Sequence, residues 1–251
     1  MLLLPRRPVP PDFRGKTALI TGVGRAGQIG YAVAQGFAAA GAQLVIADVN
    51  AAGLAERARE LGRAGATVRT AAGDLTTREA ASRAVAVATS ELGGLDVVVN
   101  VAGGLVHYGA ALEITPDQFE RELAINLKTT FYVAQAALAA LVARGGGAIV
   151  NFASIAVLDP QPLLASYIAA KAAVAGLTRA LAVEFQAQGV RVNAVAPGTM
   201  RTADNVAAAH PAGVRWVELD DLVRAVLYLA SDDAQAITGE ILPVAGARPA
   251  R

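Results

Sequence analysis

Short apolar runs alternate along the chain with longer stretches whose apolar positions recur every three or four residues. Residues 16–21 (Lys-Thr-Ala-Leu-Ile-Thr) form such a run and end in glycines, the pattern of a strand buried on both faces. Residues 29–40 then carry helical periodicity. The cycle repeats, with strands predicted over 43–48, 67–71 and 96–100 and helices over 51–64 and 77–92. In the second half, 116–143 predicts one long helix, 148–152 a strand, 166–188 a helix and 190–195 a strand, followed by a helix over 219–231 and a strand over 240–244. Strands joined by helices of this length form right-handed βαβ units, so the pattern predicts an α/β protein whose one parallel sheet is doubly wound by helices on both faces. No Pro/Gly/Ser-rich linker interrupts the series, which predicts a single domain over 15–251 after an arm over 1–14.

Composition narrows the class. Of 251 residues, 54% are hydrophobic and 17% charged, enough apolar material for a large core. A net charge of +1 with dispersed basic residues gives no footprint for nucleic acid or an anionic membrane, and neither is expected as a partner. The apolar start at residues 1–4 is shorter than a signal-peptide core, and Gly, Arg, Asp or Gln breaks each Ala/Val/Leu-rich segment before the length of a membrane span. A soluble cytoplasmic protein is expected. With no cysteine, and with His107 and His210 as the two imidazoles, no disulfide or structural metal is expected.

Candidate chemistry centres on Tyr167 and Lys171, four residues apart in the Ala-rich run 166–173 and therefore on one helical face. An ammonium there favours ionisation of a phenol whose ordinary pKa is about 10, which makes the pair a candidate acid/base couple. Taken alone, the same spacing describes an ordinary helix surface. A second candidate is the turn after the first predicted strand, Thr21-Gly22-Val23-Gly24-Arg25-Ala26-Gly27-Gln28-Ile29-Gly30. Glycines in that setting let the backbone approach a pyrophosphate, whose charge the N-terminus of the next helix favours. Asp48, 26 residues past Gly22 at the end of the second strand, is placed to accept both adenosine ribose hydroxyls and to repel a 2′-phosphate. The turn therefore predicts a dinucleotide site that favours NAD(H), while Arg25 keeps NADP(H) open.

These segments, taken in order, resemble the short-chain dehydrogenase/reductase superfamily, and the resemblance runs from about Phe13 to Gly246. Asp74-Leu75 resembles the family's adenine contact, and Asn100-Val101-Ala102-Gly103 its Asn-Asn-Ala-Gly segment with Val as the second residue. Ile125-Asn126-Leu127 carries the mid-helix Asn, Pro197-Gly198-Thr199-Met200-Arg201-Thr202 resembles the loop beside the nicotinamide, and Ile237-Thr238-Gly239-Glu240 the closing segment. The resemblance implies a Rossmann-type, three-layer αβα fold and an NAD(P)-dependent oxidoreductase of small-molecule ketones and secondary alcohols, 3-oxoacyl-type carbonyls among them. It implies Tyr167 as general acid/base, Lys171 as the group that lowers its pKa and bonds the nicotinamide ribose, and Asn126 as the holder of a water linking Lys171 to solvent. Ser154, 13 residues before Tyr167, would hold the substrate oxygen. Implied cofactor contacts are Gly22, Gly24, Arg25, Gln28, Ile29, Asp48, Asp74, Leu75, Asn100, Ala102, Gly103, Tyr167, Lys171, Pro197, Gly198, Thr199 and Thr202. Assembly as a homotetramer or homodimer through the Asn126 and Tyr167 helices is implied as well.

The glycine turn departs from the family's Thr-Gly-x-x-x-Gly-x-Gly pattern: it is two residues longer, and Gln28 replaces the middle glycine. In this it resembles the bacterial enoyl reductases of the superfamily, which space Tyr and Lys more widely than this chain does. An enoyl-thioester reductase is therefore the alternative activity, and an NAD(H)-binding sensor or structural subunit without turnover the alternative of another class. His107 reads as a substrate contact or a surface histidine, and Arg201 as a partner for an anionic substrate group or a solvated rim residue. The segment 203–217, a short Ala-rich substrate lid, leaves the substrate unnamed.

Overall fold

The computed structural model describes residues 11–208 and 213–246. Strands β1 (Thr17–Thr21), β2 (Gln43–Asp48), β3 (Val68–Ala72), β4 (Val97–Asn100), β5 (Gly147–Phe152), β6 (Val190–Pro197) and β7 (Ile241–Val244) pair in parallel in the order β3-β2-β1-β4-β5-β6-β7. Chain order reverses on either side of β1, which opens a crevice at the carboxyl edge of the sheet where open α/β folds bind ligands. Around the sheet lie α1 (Ile29–Ala39), α2 (Ala51–Arg63), α3 (Arg78–Glu91), α4 (Pro116–Leu123), α5 (Thr129–Ala143), α6 (Ala165–Phe185), α7 (Ala203–Ala207) and α8 (Leu219–Ala230).

Alternation along each strand divides the core in two. Ala18 and Ile20 of β1 pack with Phe37 of α1, Leu54 of α2 and Leu222 of α8. Leu19, between them, faces the opposite layer, with Ala84 of α3, Leu141 of α5 and Leu181 of α6. Both faces are covered, so β1, β2 and β4 are largely apolar while the outer strand β3 is partly exposed and carries Arg69 and Thr70, and this is the single-domain, three-layer Rossmann arrangement.

Helix and strand limits match the apolar pattern to within a few residues, with one substantial difference. The helix predicted over 116–143 is continuous but contains a π-helical turn, Ala124–Lys128, between α4 and α5. Thr129 Oγ1 donates to Ile125 O at 2.7 Å and Thr130 Oγ1 to Asn126 O at 2.8 Å, so side chains satisfy carbonyls at the widened turn. By length and composition this helix could cross a bilayer. Here Val133, Ala134, Ala137, Leu138 and Leu141 are buried against the sheet and α3.

The expected arm over 1–14 needs correction at its end. Phe13 is buried, packs at a tilt against Phe37 with ring centroids 4.8 Å apart, and donates its N–H to Ala40 O at 2.8 Å, so the chain joins the core before residue 15. Residues 1–10, and 209–212 of the lid with His210, lie outside the described residues.

Candidate active site

The glycine turn leaves β1 at the switch point. Gly22 has φ +76°, open to glycine at little steric cost, and Thr21 Oγ1 accepts the N–H of Ala102 at 3.0 Å, fastening the turn to the segment after β4. A Cβ at Gly30 would lie 2.0 Å from Gly22 O, so α1 can sit this close to β1 only with glycine there. Gly30→Ala is expected to lose about 1–3 kcal/mol of stability by overpacking and to weaken dinucleotide binding, read by thermal melting and NADH fluorescence titration. Gln28 is the N-cap of α1 and makes no side-chain cap, leaving the first helical N–H groups to an anion. Its Nε2 is buried without a partner.

The cleft that follows has a volume of about 390 Å³ and is lined by Gly22, Arg25, Gln28, Ile29, Asp48, Asp74, Leu75, Ala102 and Gly103, among others. Asp48 accepts the Gly24 N–H on Oδ2 at 2.7 Å and the Asn50 N–H on Oδ1 at 2.9 Å. Each oxygen keeps a further lone pair for a hydroxyl donor. Asp74 Oδ1 takes both the N–H and the hydroxyl of Thr76, at 2.9 and 2.7 Å. Arg25 does not stand alone in the turn: its guanidinium pairs with Asp204 of α7 at 2.6 Å, and Ala203 N–H donates to Gly27 O at 2.9 Å. Helix α7 is thus tied to the glycine turn. Thr202, buried, caps α7 by accepting the Asn205 N–H at 3.2 Å.

A second hollow of about 200 Å³ adjoins this cleft, sharing Ile29, Val101 and Gly103 with it, and contains Ser154, Tyr167, Lys171, Pro197, Gly198 and Met200. Ser154 follows β5 and accepts the Ala156 N–H on Oγ at 3.2 Å. Tyr167 and Lys171 come from the first turns of α6, with Lys171 Nζ 5.8 Å from the Tyr167 ring centroid. Lys171 is buried and donates to Phe152 O at 2.9 Å. Burial pushes its pKa down to about 8 against the opposing charge of Glu122. Burial also pushes the Tyr167 phenol up, with hydrogen bonding to Ser154 acting downward and the Glu122 charge adding to the rise. The phenol is therefore held protonated, the form that donates. Thr199 O accepts the Val217 N–H at 2.9 Å, closing the 198–202 loop against the strand bridge at Met200 and Val217.

Beneath the hollow, Asn100 Nδ2 donates to Asn151 Oδ1 at 2.9 Å, and Asn151 Nδ2 to Thr178 Oγ1 at 3.0 Å, joining β4, β5 and α6 by a buried polar chain. The Asn100 Oδ1 atom is buried without a partner. Asn126 lies at the π-turn, fully buried, with its amide engaged by Gly104: Nδ2 donates to Gly104 O at 2.8 Å and Oδ1 accepts the Gly104 N–H at 3.1 Å. Glu122, one helical turn earlier, is also fully buried and accepts from Asn126 Nδ2 at 3.0 Å. Nothing in the sequence sets it apart, since α4 also carries Asp117 and Glu120 and burial alone distinguishes Glu122. His107 Nδ1 lies 3.2 Å from Gln118 Nε2, while Gln118 Oε1 accepts the Thr115 N–H at 2.9 Å in a capping box. Arg201 pairs with Glu218 at 2.8 Å and stacks over Trp216, a rim position engaged by the protein itself.

A parallel sheet with its crevice at the switch point, a glycine turn and helix N-terminus left for an anion, and a Ser/Tyr/Lys cluster beside them define a dinucleotide-dependent oxidoreductase of Rossmann type. Residues 22–246 match the family described as "Enoyl-(Acyl carrier protein) reductase". The chain belongs to the short-chain dehydrogenase/reductase superfamily, and acts as an NAD(P)-dependent oxidoreductase on CH–OH and C=O groups. It is 39% identical to 4-formylbenzenesulfonate dehydrogenase of Comamonas testosteroni over 94% of this chain and 99% of that one. It is 37% identical to galactitol 2-dehydrogenase (L-tagatose-forming) of Cereibacter sphaeroides, covering 92% of this chain and 94% of the other. A solved 7α-hydroxysteroid dehydrogenase, in complex with NADH and 7-oxo glycochenodeoxycholic acid, superposes with a TM-score of 0.87 at 30% identity over 94% of each chain. These relatives are named dehydrogenases, so enoyl reduction is not favoured despite the description of the family.

Proposed function

We propose that this protein interconverts a small-molecule secondary alcohol and a ketone with NAD(H), using Tyr167 as acid/base. The observation that carries this reading is the convergence of Ser154, Tyr167 and buried Lys171 on one hollow continuous with the glycine-turn cleft. A bound nicotinamide supplies or accepts the hydride. Tyr167 gives its proton to the carbonyl oxygen in reduction and takes it back in oxidation, Ser154 Oγ holds that oxygen as charge develops, and the Lys171 ammonium stabilises the phenolate. Asn126 acts by holding Gly104 and the loop over the hollow. Pro197, Gly198 and Thr199 border the nicotinamide end, and Asp74 and Leu75 the adenine end.

Two observations support NAD(H) over NADP(H). The Asp48 carboxylate lines the cleft at the end of β2, where its charge would repel a ribose phosphate, and the Arg25 guanidinium is already paired with Asp204. Asp48→Ala is expected to raise the NADPH-to-NADH ratio of kcat/KM by about tenfold or more, the removal of one close like-charge contact. A wild-type preference for NADPH would sink the assignment. An apolar groove between α5 and α6, with Phe131, Leu138, Val142, Leu181 and Phe185, supports assembly as a homodimer or homotetramer.

The test is NADH and NADPH absorbance across a ketone and secondary-alcohol panel. Turnover of a crotonyl thioester in place of every ketone would move the activity to enoyl reduction, and tight NADH binding with no turnover of any panel member would make the protein a sensor.

A further inference from the structure

Glu122 is the one residue that α4 buries, and no cation lies in ion-pair contact with it among the described residues. Leaving a carboxylate inside a protein is expensive unless its oxygens are satisfied. Both are. Oε2 accepts the N–H of Val106 at 3.0 Å and, more loosely, of His107 at 3.4 Å, while Oε1 accepts Asn126 Nδ2 at 3.0 Å. Every one of these contacts is an N–H donor, the set that fits an acceptor-only, ionised carboxylate. The arrangement joins α4, the π-turn and the loop 104–107 at a single charged group. α4 and the π-turn pack on α6, which carries Tyr167 and Lys171.

The surroundings leave few other charges to act on that pair. On α4, Asp117, Glu120 and Arg121 are exposed; on the π-turn, Lys128 is exposed. From β6, Arg191 is committed to Leu229 O and Ser231 O. From the loop, His107 is held through Nδ1 by Gln118. β5 and the turn 155–157 offer no titratable side chain. Resting on the reading of Tyr167 and Lys171 as the reacting pair, we propose that Glu122 is a positioning residue of the hydride-transfer site: its buried negative charge balances Lys171, and its two oxygens fix Asn126 and the 104–107 loop beside it. The electrostatics agree in direction, since Glu122 works against the loss of charge on Lys171 and against phenolate formation at Tyr167.

The consequence is a position on the pH axis. Alcohol oxidation needs a deprotonated Tyr167 and a charged Lys171. Removing the Glu122 charge makes the phenol easier to ionise and the ammonium easier to lose, so both limbs of the profile move to lower pH. The experiment is the pH profile of kcat/KM for alcohol oxidation by the full-length wild type, Glu122→Gln, Glu122→Asp and Tyr167→Phe, each first shown to bind NADH by fluorescence titration. Glu122→Gln is expected to move both limbs down by about one unit and to lower kcat/KM about tenfold. Glu122→Asp, which keeps the charge but withdraws it by one methylene, is expected to fall between it and the wild type. Should Glu122→Gln fail to fold, the Glu122→Asp displacement carries the test. Limbs that stay at the wild-type positions in the folded variants overturn the proposal, even if activity falls, because a merely structural role lowers the curve without moving it. A Tyr167→Phe enzyme that still turns over overturns instead the reading on which the proposal rests.

Discussion

Replacing Tyr167 with phenylalanine is expected to lower kcat/KM about 10²–10⁴-fold in both directions, the range that a positioned acid/base group contributes, while NADH binding stays within a few-fold of wild type. The reasoning is local. Among the described residues Tyr167 Oη is the only phenol in the hollow that Ser154 and Lys171 share, and the ring that carries it is retained in Phe. The dinucleotide cleft, built from Gln28, Asp48 and Asp74, lies beyond the substituted atom. Steady-state kinetics on the best panel substrate, paired with NADH fluorescence titration, separates the two effects. Equal loss of binding and turnover would mean that the phenol holds cofactor rather than moving a proton.

Lys171→Met is expected to combine a loss of at least about 10²-fold in kcat with a gain in stability. The two have one cause. Lys171 is buried with its pKa lowered from 10.5 to about 8, which corresponds to roughly 3 kcal/mol of folding free energy at neutral pH. The sign follows from proton counting: between about pH 8 and 10.5 the unfolded chain binds more protons at this site than the folded one, so stability rises with pH there. The penalty is full below about pH 8 and is gone above about 10.5. Methionine, of similar length and uncharged, removes it but leaves Phe152 O without its donor, a loss of about 1–3 kcal/mol. A net gain of about 1 kcal/mol at pH 7, gone near about pH 9 and reversed to a net loss by about pH 10, is the expected outcome of urea melts over that range. A variant less stable than wild type at every pH would show that the bond to Phe152 outweighs the desolvation.

Much of this was legible in the chain because the signals are local or periodic. Continuous apolar runs such as Leu-Val-Ile-Ala in β2, short and bounded by turn residues, read as strands covered on both faces, and the glycines of 22–30 mark a turn where backbone approaches backbone closely. Tyr167, Lys171 and Ser154 fall at spacings that a strand end and the next helix bring together. What stayed hidden depends on partners remote in sequence. Phe13 reads as part of a loose arm until Phe37 is seen beneath it. Arg25 reads as free for a phosphate until Asp204, 179 residues later, takes it. The π-turn at Asn126 leaves no trace in a periodicity that continues on both sides, and Glu122 looks like one more charge on a surface helix until its face is found against α6. The sense of the Tyr167 shift was hidden too: spacing puts an ammonium near a phenol, but burial acts on both and opposes each charge.

The clasp between the glycine turn and α7 is made of an exposed ion pair, Arg25 with Asp204, and one backbone bond from Ala203 to Gly27. Exposed pairs are worth about 0–1 kcal/mol and are screened by salt, so their release changes an open-to-closed ratio by no more than about fivefold. What holds α7 to the turn beyond that pair is one amide bond, so added salt is expected to loosen α7 without freeing it.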